Sequence, residues 1–517
     1  MKTKQFVRMT AIALLLTINH QLSTCLAQGS LTPPGVPAPT MRSLDQIEPR
    51  TPISSAPFTI GNPGSYYLTG NLTVSSGNAI TIATNGVALD LSGFIIRSTA
   101  ASPTGAGIQI NTSLQNITIA NGFIQGGVTN NNSGVYSGTG FADGIFYTGI
   151  QPVNAMVSRV SVSGCLTYGI LLGNGESTVV ENCTARTIGS YGIAACLVKT
   201  CAATVCGITA IYGDQVTDCR GQSILSGDAI VTYTAENSYG YSGTGNGILA
   251  FYTAQNCFGS SNGGGKGVYA ETALNCYGSS VSGDGIHALG SAENCYGSSG
   301  GGGFGVYGFI VMNCNGLSSS ADGVHAYTAM NCYGTGTTGA GVFANSAQNC
   351  FGTSSSSHGI SANDAENCNG TSSTGNGVYA IYTAHGCHGQ SGAGHGVYAV
   401  QSAENCSGYS GNFYGVNAFT AQNCYGYSTN SIGIFATTAL NCYGQSPASQ
   451  NGITAIDAQN CYGHSGGAIG LFAADVATGC SGYSGSFSGE GVDAFIAAFC
   501  HGNAATNFVT SHSISSF

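Results

Sequence analysis

Cysteine is the residue whose type and spacing could do chemistry in this chain. Of the 21 cysteines, 18 recur at a sequence step of 18 or 19, with a final step of 20. They run through Cys165, Cys183, Cys201 and Cys219, and then without interruption from Cys257 to Cys500. The one double step, between Cys219 and Cys257, holds Ser238 where a cysteine is due ("AENSYG"). Only Cys25, Cys196 and Cys206 fall outside the series. One cysteine per repeat cannot brace its own repeat, so a disulfide would have to join neighbours. Stacked strands place Cα atoms ~4.8 Å apart, inside the disulfide range of ~4.4–6.8 Å, but parallel side chains keep Cβ atoms beyond the preferred ~3.5–4.5 Å. Zinc ligation needs CxxC or Cys/His spacings, which the series lacks. The expectation is a largely reduced, inward column in which each thiol packs as a small hydrophobe, with some disulfides between neighbours left open. The cluster "CLVKTCAATVC" (Cys196, Cys201, Cys206) is where a disulfide is worth testing.

The residue after the cysteine forms a second column: Tyr239, Phe258, Tyr277, Tyr296, Tyr333, Phe351, Tyr425, Tyr443 and Tyr462. Facing outward, such rings could stack on sugars; stacked on one another, they add stability without a ligand. Other candidates are sparser. His287 and His325 share a column two repeats apart, as do His358 and His395 in a turn column, too far for shared ligation. Glu236, Glu293, Glu366 and Glu404 interchange with Gln and Leu, as on a solvated face. Asp143, Asp284 and Asp322 read as turn residues. Mixed charge gathers only at Arg159, Glu181, Arg186, Lys199, Asp214, Asp218 and Arg220, where Glu181 and Lys199 suggest a surface ion pair. A row of Thr and Ser four before the cysteine (Thr253, Thr272, Ser291, Thr328) would suit an ice-binding face, but Ile310, Asp364 and Asp457 break it. No catalytic residue, metal ligand or cofactor site is assigned from these patterns.

These columns require elements that repeat in register. Inside one unit, "GVYA" (Gly267–Ala270) and "TALNCYG" (Thr272–Gly278) alternate apolar and variable residues over short runs. That alternation, bounded by Gly and Ser, marks short strands, and Gly interrupts every candidate helix. With 81 glycines and 6% charged residues, the chain departs from ordinary globular composition. Proline draws a boundary: ten of eleven precede Val153, and only Pro447 follows, as expected where backbone N–H groups are needed for ladders. Asn before the cysteine suits a tight left-handed bend whose amide can bond its copies above and below. The reading is an all-β, right-handed parallel β-helix (solenoid) with 18–19-residue coils and an internal Cys/Asn ladder. The left-handed hexapeptide helix ranks behind it for want of a sixfold sequence period.

Upstream, "PGSYYLTGNLTV" (Pro63–Val74), "AITIATNGVALDLSGFIIR" (Ala79–Arg97) and "LQNITIANGFIQGG" (Leu114–Gly127) resemble right-handed parallel β-helix proteins of the pectin-lyase-like superfamily. Coils there are longer, with Leu91 to Ile119 read as one turn. The later coils are similar to the repeats of filamentous-haemagglutinin-type adhesins. The resemblance implies a fold shared by lyases, hydrolases, adhesins and inert stalks. No motif of a lyase catalytic site is matched, and clustered carboxylates for calcium with a Lys or Arg base are not evident.

The expected organisation is a signal peptide (1–27), a Pro-rich spacer and N-terminal cap (28–57), a longer-coil part (58–160), regular 18–19-residue coils (161–503) and a C-terminal tail (504–517). Lys2, Lys4 and Arg8 precede the apolar "AIALLLTI", and "CLA" ends at Ala27 with small residues for cleavage. "LSTC" at Cys25 offers a lipoprotein alternative. Cleavage after Ala27 leaves 8 Lys and Arg against 21 Asp and Glu, a formal charge of −13. Beyond Arg220 the only Lys or Arg is Lys266, which excludes nucleic acid as a partner. No later run is apolar enough for a membrane helix, and no translocating β-barrel is expected after the coils. The functional expectation is a secreted or surface-exposed, structural or adhesive β-helix that binds polysaccharide or extracellular matrix by multivalent contacts, without catalysis. A polysaccharide lyase or hydrolase, and then an ice-binding solenoid, are the alternatives; the oligomeric state stays open.

Overall fold

The computed structural model describes residues 50–515 apart from positions 176, 487, 504 and 505. Every regular element among them is a strand. Fifty strands join one sheet, and its ladders pair in parallel from coil to coil. The chain is a right-handed parallel β-helix of about 24 turns of ~19 residues. The expected signal peptide and most of the Pro-rich spacer lie outside the described residues.

One coil shows why this sequence folds so. After Cys257, strand Phe258–Ser261 buries Gly259 and Ser261 and turns Phe258 and Ser260 outward. A Gly-rich turn leads to strand Val268–Leu274, which buries Val268, Ala270 and Ala273. Glu271 and Thr272 both face out, so the strand bends there and the coil becomes three-sided. Asn275 then closes the third corner with φ +53°. The interior is narrow because the walls meet at glycine: a Cβ on Gly259 would strike the carbonyl of Gly267, and one on Gly278 that of Gly285. Ala, Val, Cys and Ser fill what remains, and nearly all the Val and Ile of the inner column are fully buried.

Register fixes the coil lengths. Ile117 pairs with Ala155, and Ala155 pairs with Thr178. Both of these coils are longer than any that follow. Val180 pairs with Val198, and the regular short step begins. Upstream, Leu89 rather than Leu91 pairs with Ile119, so that coil is longer than the sequence spacing implied. The longest coil, from Ile117 to Ala155, includes an antiparallel hairpin, Gly127–Asn130 with Tyr136–Thr139. Tyr136 donates its hydroxyl to the Val205 carbonyl at 2.8 Å.

Register also corrects one member of the cysteine series. Cys165 pairs with Ile188, which pairs with Cys206, so both cysteines belong to the column continued by Ser223. The position above Cys183 is held by Val160, whose N–H meets the Cys183 thiol at 3.4 Å. The spacing from Cys165 to Cys183 matches the ladder by coincidence, because both fall within a longer coil in which Ser161 pairs with Thr184. The ladder therefore begins at Cys183.

Candidate functional site

The Asn–Cys–aromatic corner builds a groove along the rod. Asn can occupy the left-handed region, and the Asn column does so throughout, from Asn237 (φ +49°) to Asn460 (φ +52°). Most amides reach one rung back: Asn256 Nδ2 donates to Asn237 Oδ1 at 3.2 Å and Asn275 Nδ2 to Asn256 Oδ1 at 3.1 Å. The bonding continues at Asn349, Asn423 and Asn441. At Asn237 the acceptor is Asp218. The expected amide ladder is present.

Behind the Asn, the thiols point inward and are nearly fully buried. Cys295 Sγ has its one S–H within reach of the carbonyls of Glu293 (3.2 Å) and Ala273 (3.4 Å) and accepts the N–H of Cys276 at 3.4 Å. The ladder cysteines are free thiols. In the neighbouring column, burial pushes the Cys206 thiol up to about 12. Burial, with the nearby Asp143 carboxylate, raises Cys165 further. These thiols stay protonated at neutral pH and are poor nucleophiles. The cluster Cys196, Cys201 and Cys206 is dispersed: Cys201 is on the ladder, Cys206 in the next column, and Cys196 half-exposed with Sγ 3.6 Å from Asp214 Oδ2.

The aromatic column stacks on itself. Tyr239, Phe258, Tyr277 and Tyr296 have successive centroids 4.9, 4.7 and 4.8 Å apart with interplanar angles of 10° or less. The Arg220 guanidinium covers the outer face of Tyr239 at 5.3 Å. Tyr333–Phe351 and Tyr425–Tyr443–Tyr462 repeat the arrangement. The coil rise equals ring-stacking distance, so faces are spent on neighbours and only edges meet solvent. Stacking a sugar on these faces is thereby blocked.

A shallow groove of about 1070 Å³ follows this corner from Asn182 to Asn315. Four successive rungs of its wall, Asn237–Tyr239, Asn256–Phe258, Asn275–Tyr277 and Asn294–Tyr296, pair an Asn amide with an aromatic edge, and the rungs before them carry Thr200 with Ala202 and Asp218 with Arg220 instead. An amide carries two donors and two lone pairs, and the ladder engages one of each. Those four rungs therefore offer spare amide hydrogen-bonding groups and an apolar edge every ~4.8 Å.

The remaining sequence candidates are not brought together. Glu181 and Lys199 pair in register on successive rungs, Arg186 lies on another strand, and Arg159 Nε donates to Asn121 Oδ1 at 2.6 Å. Asp143, Asp284 and Asp322 close turns by accepting the N–H of Tyr168, Phe304 and Ala340 in the next coil. His358 and Asn376 act likewise, accepting from Asn376 and His395. His287 and His325 stand either side of Tyr307 in one ring stack. Each holds its own aspartate, Asp284 at 2.7 Å and Asp322 at 2.8 Å. The Thr/Ser row lies on the third face, broken at Ile310, Asp364, Asp457 and again at Val476.

Two features escaped the sequence reading. One is the Asp–His pairing at a spacing of three. The other is a buried serine column, in which Ser280 Oγ donates to the Gly265 carbonyl (2.7 Å) and accepts the Gly283 N–H (2.8 Å). Ser318, Ser391 and Ser465 pin their turns in the same way. The near-constant second serine of "YGSS" was the signal available. Among the described residues no group of three or more His, Cys, Asp or Glu is placed to hold a metal ion, and no helix could cross a membrane.

No protein-family model, curated protein or solved structure matches the chain.

Proposed function

We propose that this protein is a secreted or surface-exposed structural and adhesive rod that holds extended, uncharged polysaccharide or matrix chains along the Asn–aromatic groove. The observation that carries the reading is the run of four successive rungs, Asn237 to Tyr296, at which an Asn amide and an aromatic edge line that groove together. Each contact is weak. A chain lying along several rungs makes each further contact intramolecular, so avidity grows without any deep pocket. The scarcity of charge favours neutral ligands, and the basic, apolar N-terminus supports export. A lyase of this fold would need acid, base and cation ligands in one place, whereas between Arg159 and Arg220 only Glu181 and Lys199 share a column and Arg186 lies on another strand.

The test is co-sedimentation of the mature chain with neutral and acidic polysaccharides, with and without calcium, while ultraviolet absorbance follows unsaturated products. Retention of a neutral polymer without cleavage is expected. The triple variant N256G/N275G/N294G keeps left-handed backbone and removes three amides, and it should lower retention at least about tenfold. Cleavage, or retention that ignores the triple variant, overturns the reading.

A further inference from the structure

A different corner of the rod, where the second face meets the third, carries an exposed apolar ridge that the groove does not use. One or two residues per rung project there, between the inner Ala of "GVYA" and the Thr/Ser row. Leu289, Phe309 and Tyr327 are 49, 53 and 52% exposed, and Ile381, Val400 and Phe419 are 40, 44 and 59% exposed. Between these triplets lie two polar rungs, Asn345 and Asn363.

Read outward from that polar pair, the ridge is a palindrome. The first rung on either side gives Tyr327 and Ile381, the second Phe309 and Val400, the third Leu289 and Phe419. The fourth is polar on both sides, Glu271 and Thr437, and the fifth apolar again, Phe251 and Ile456. Three of these rungs project a second side chain, Tyr252 beside Phe251, Tyr382 beside Ile381 and Gln401 beside Val400. A two-fold axis between Asn345 and Asn363 would bring the palindromic pairs together twice, because in an isologous contact residue i meets j and j meets i. Identical coil rise keeps the pairs in step along both rods. Asn345 would face Asn363 of a second copy, and the Thr437 hydroxyl could donate to the Glu271 carboxylate.

The surface is also of the right size and shape. The eleven exposed apolar side chains on the ridge between Tyr233 and Ile456, at about 100 Å² each, present on the order of 1,000 Å². A standard interface buries ~800 Å² per partner. Beside the ridge, Leu289, Phe309 and Tyr327 form with Tyr307, His325 and Phe343 a cleft of about 280 Å³. Apolar ridge side chains of a second copy would fill it.

We propose that two copies of this chain pair side by side and antiparallel through this ridge, about an axis between Asn345 and Asn363. The test is sedimentation velocity of the mature chain across micromolar concentrations, with circular dichroism checking each fold. Wild type should sediment as a dimer. F309E and V400K, both at exposed sites, should each weaken dimerisation roughly 100-fold by burying an unpaired charge. The matched double F309E/V400K should recover at least about tenfold, and the mismatched F309E/I381K should not. A monomeric wild type, single variants that dimerise normally, or equal recovery by the mismatched pair would each overturn the proposal. N256G/N275G/N294G should leave the dimer unchanged.

Discussion

At rung 295 a thiol accepts one buried N–H and offers its single S–H to two carbonyls, and Ser238 shows that a hydroxyl can take over much of that work. Ser238 Oγ donates to the Glu236 carbonyl at 2.8 Å and accepts the Cys219 N–H at 3.2 Å. Both bonds correspond to bonds of Cys295. Cys295→Ser should therefore cost no more than about 1 kcal/mol. Cys295→Ala orphans the Cys276 N–H and should cost about 1–3 kcal/mol. Urea midpoints of the two variants decide it; equal losses would mean the thiol acts through volume alone. The same comparison explains why cysteine recurs without disulfides. It is small enough for a core whose walls meet at glycine, and it still donates to a carbonyl and accepts an N–H.

The element that sets the coil is the left-handed Asn turn. Two rungs use glycine instead, Gly386 (φ +62°) and Gly479 (φ +63°), so the position demands conformation first and an amide second. Asn275→Gly should lose one amide link, about 0.5–1.5 kcal/mol. Asn275→Ala adds the left-handed penalty of ~1–2 kcal/mol and should melt lower than Asn275→Gly; the reverse order would show that the extra unfolded-state entropy of glycine outweighs backbone strain. This turn and the cysteine column were legible because one residue type marks each rung. Cys165 was misplaced because sequence spacing cannot see a longer coil whose loop absorbs the excess. The buried Ser280 was missed because serine beside glycine reads as a solvated turn. The ridge was missed because its positions share no residue type; only register aligns Phe309 with Tyr327 and Val400 with Phe419.

Across the whole molecule, a solenoid behaves as a row of units coupled to their neighbours, so a local change in stability stays local. Acid should therefore act in opposite directions at two places along the rod. Burial raises the Asp143 carboxyl from 3.8 to about 6, partly offset by the Tyr168 N–H. Between those values the folded state binds more protons than the unfolded, so stability there is lost as pH rises and regained as it falls. Burial lowers His395 from 6.5 to about 4, partly offset by a backbone bond to Tyr414. Here the unfolded state binds more protons, so stability is full above pH ~6.5 and lost as pH falls toward 4. Both groups are partly exposed, which reduces each effect to about 1–2 kcal/mol. Hydrogen exchange at pH 7 and pH 5, corrected for intrinsic rates, should show amides around Asp143–Gly169 gaining protection in acid. Those around His395–Tyr414 should lose it, and Asp143→Asn should abolish the first change only. Parallel changes at both places would mean the rod unfolds as one cooperative unit, with the coils coupled more tightly than a stack of neighbours requires.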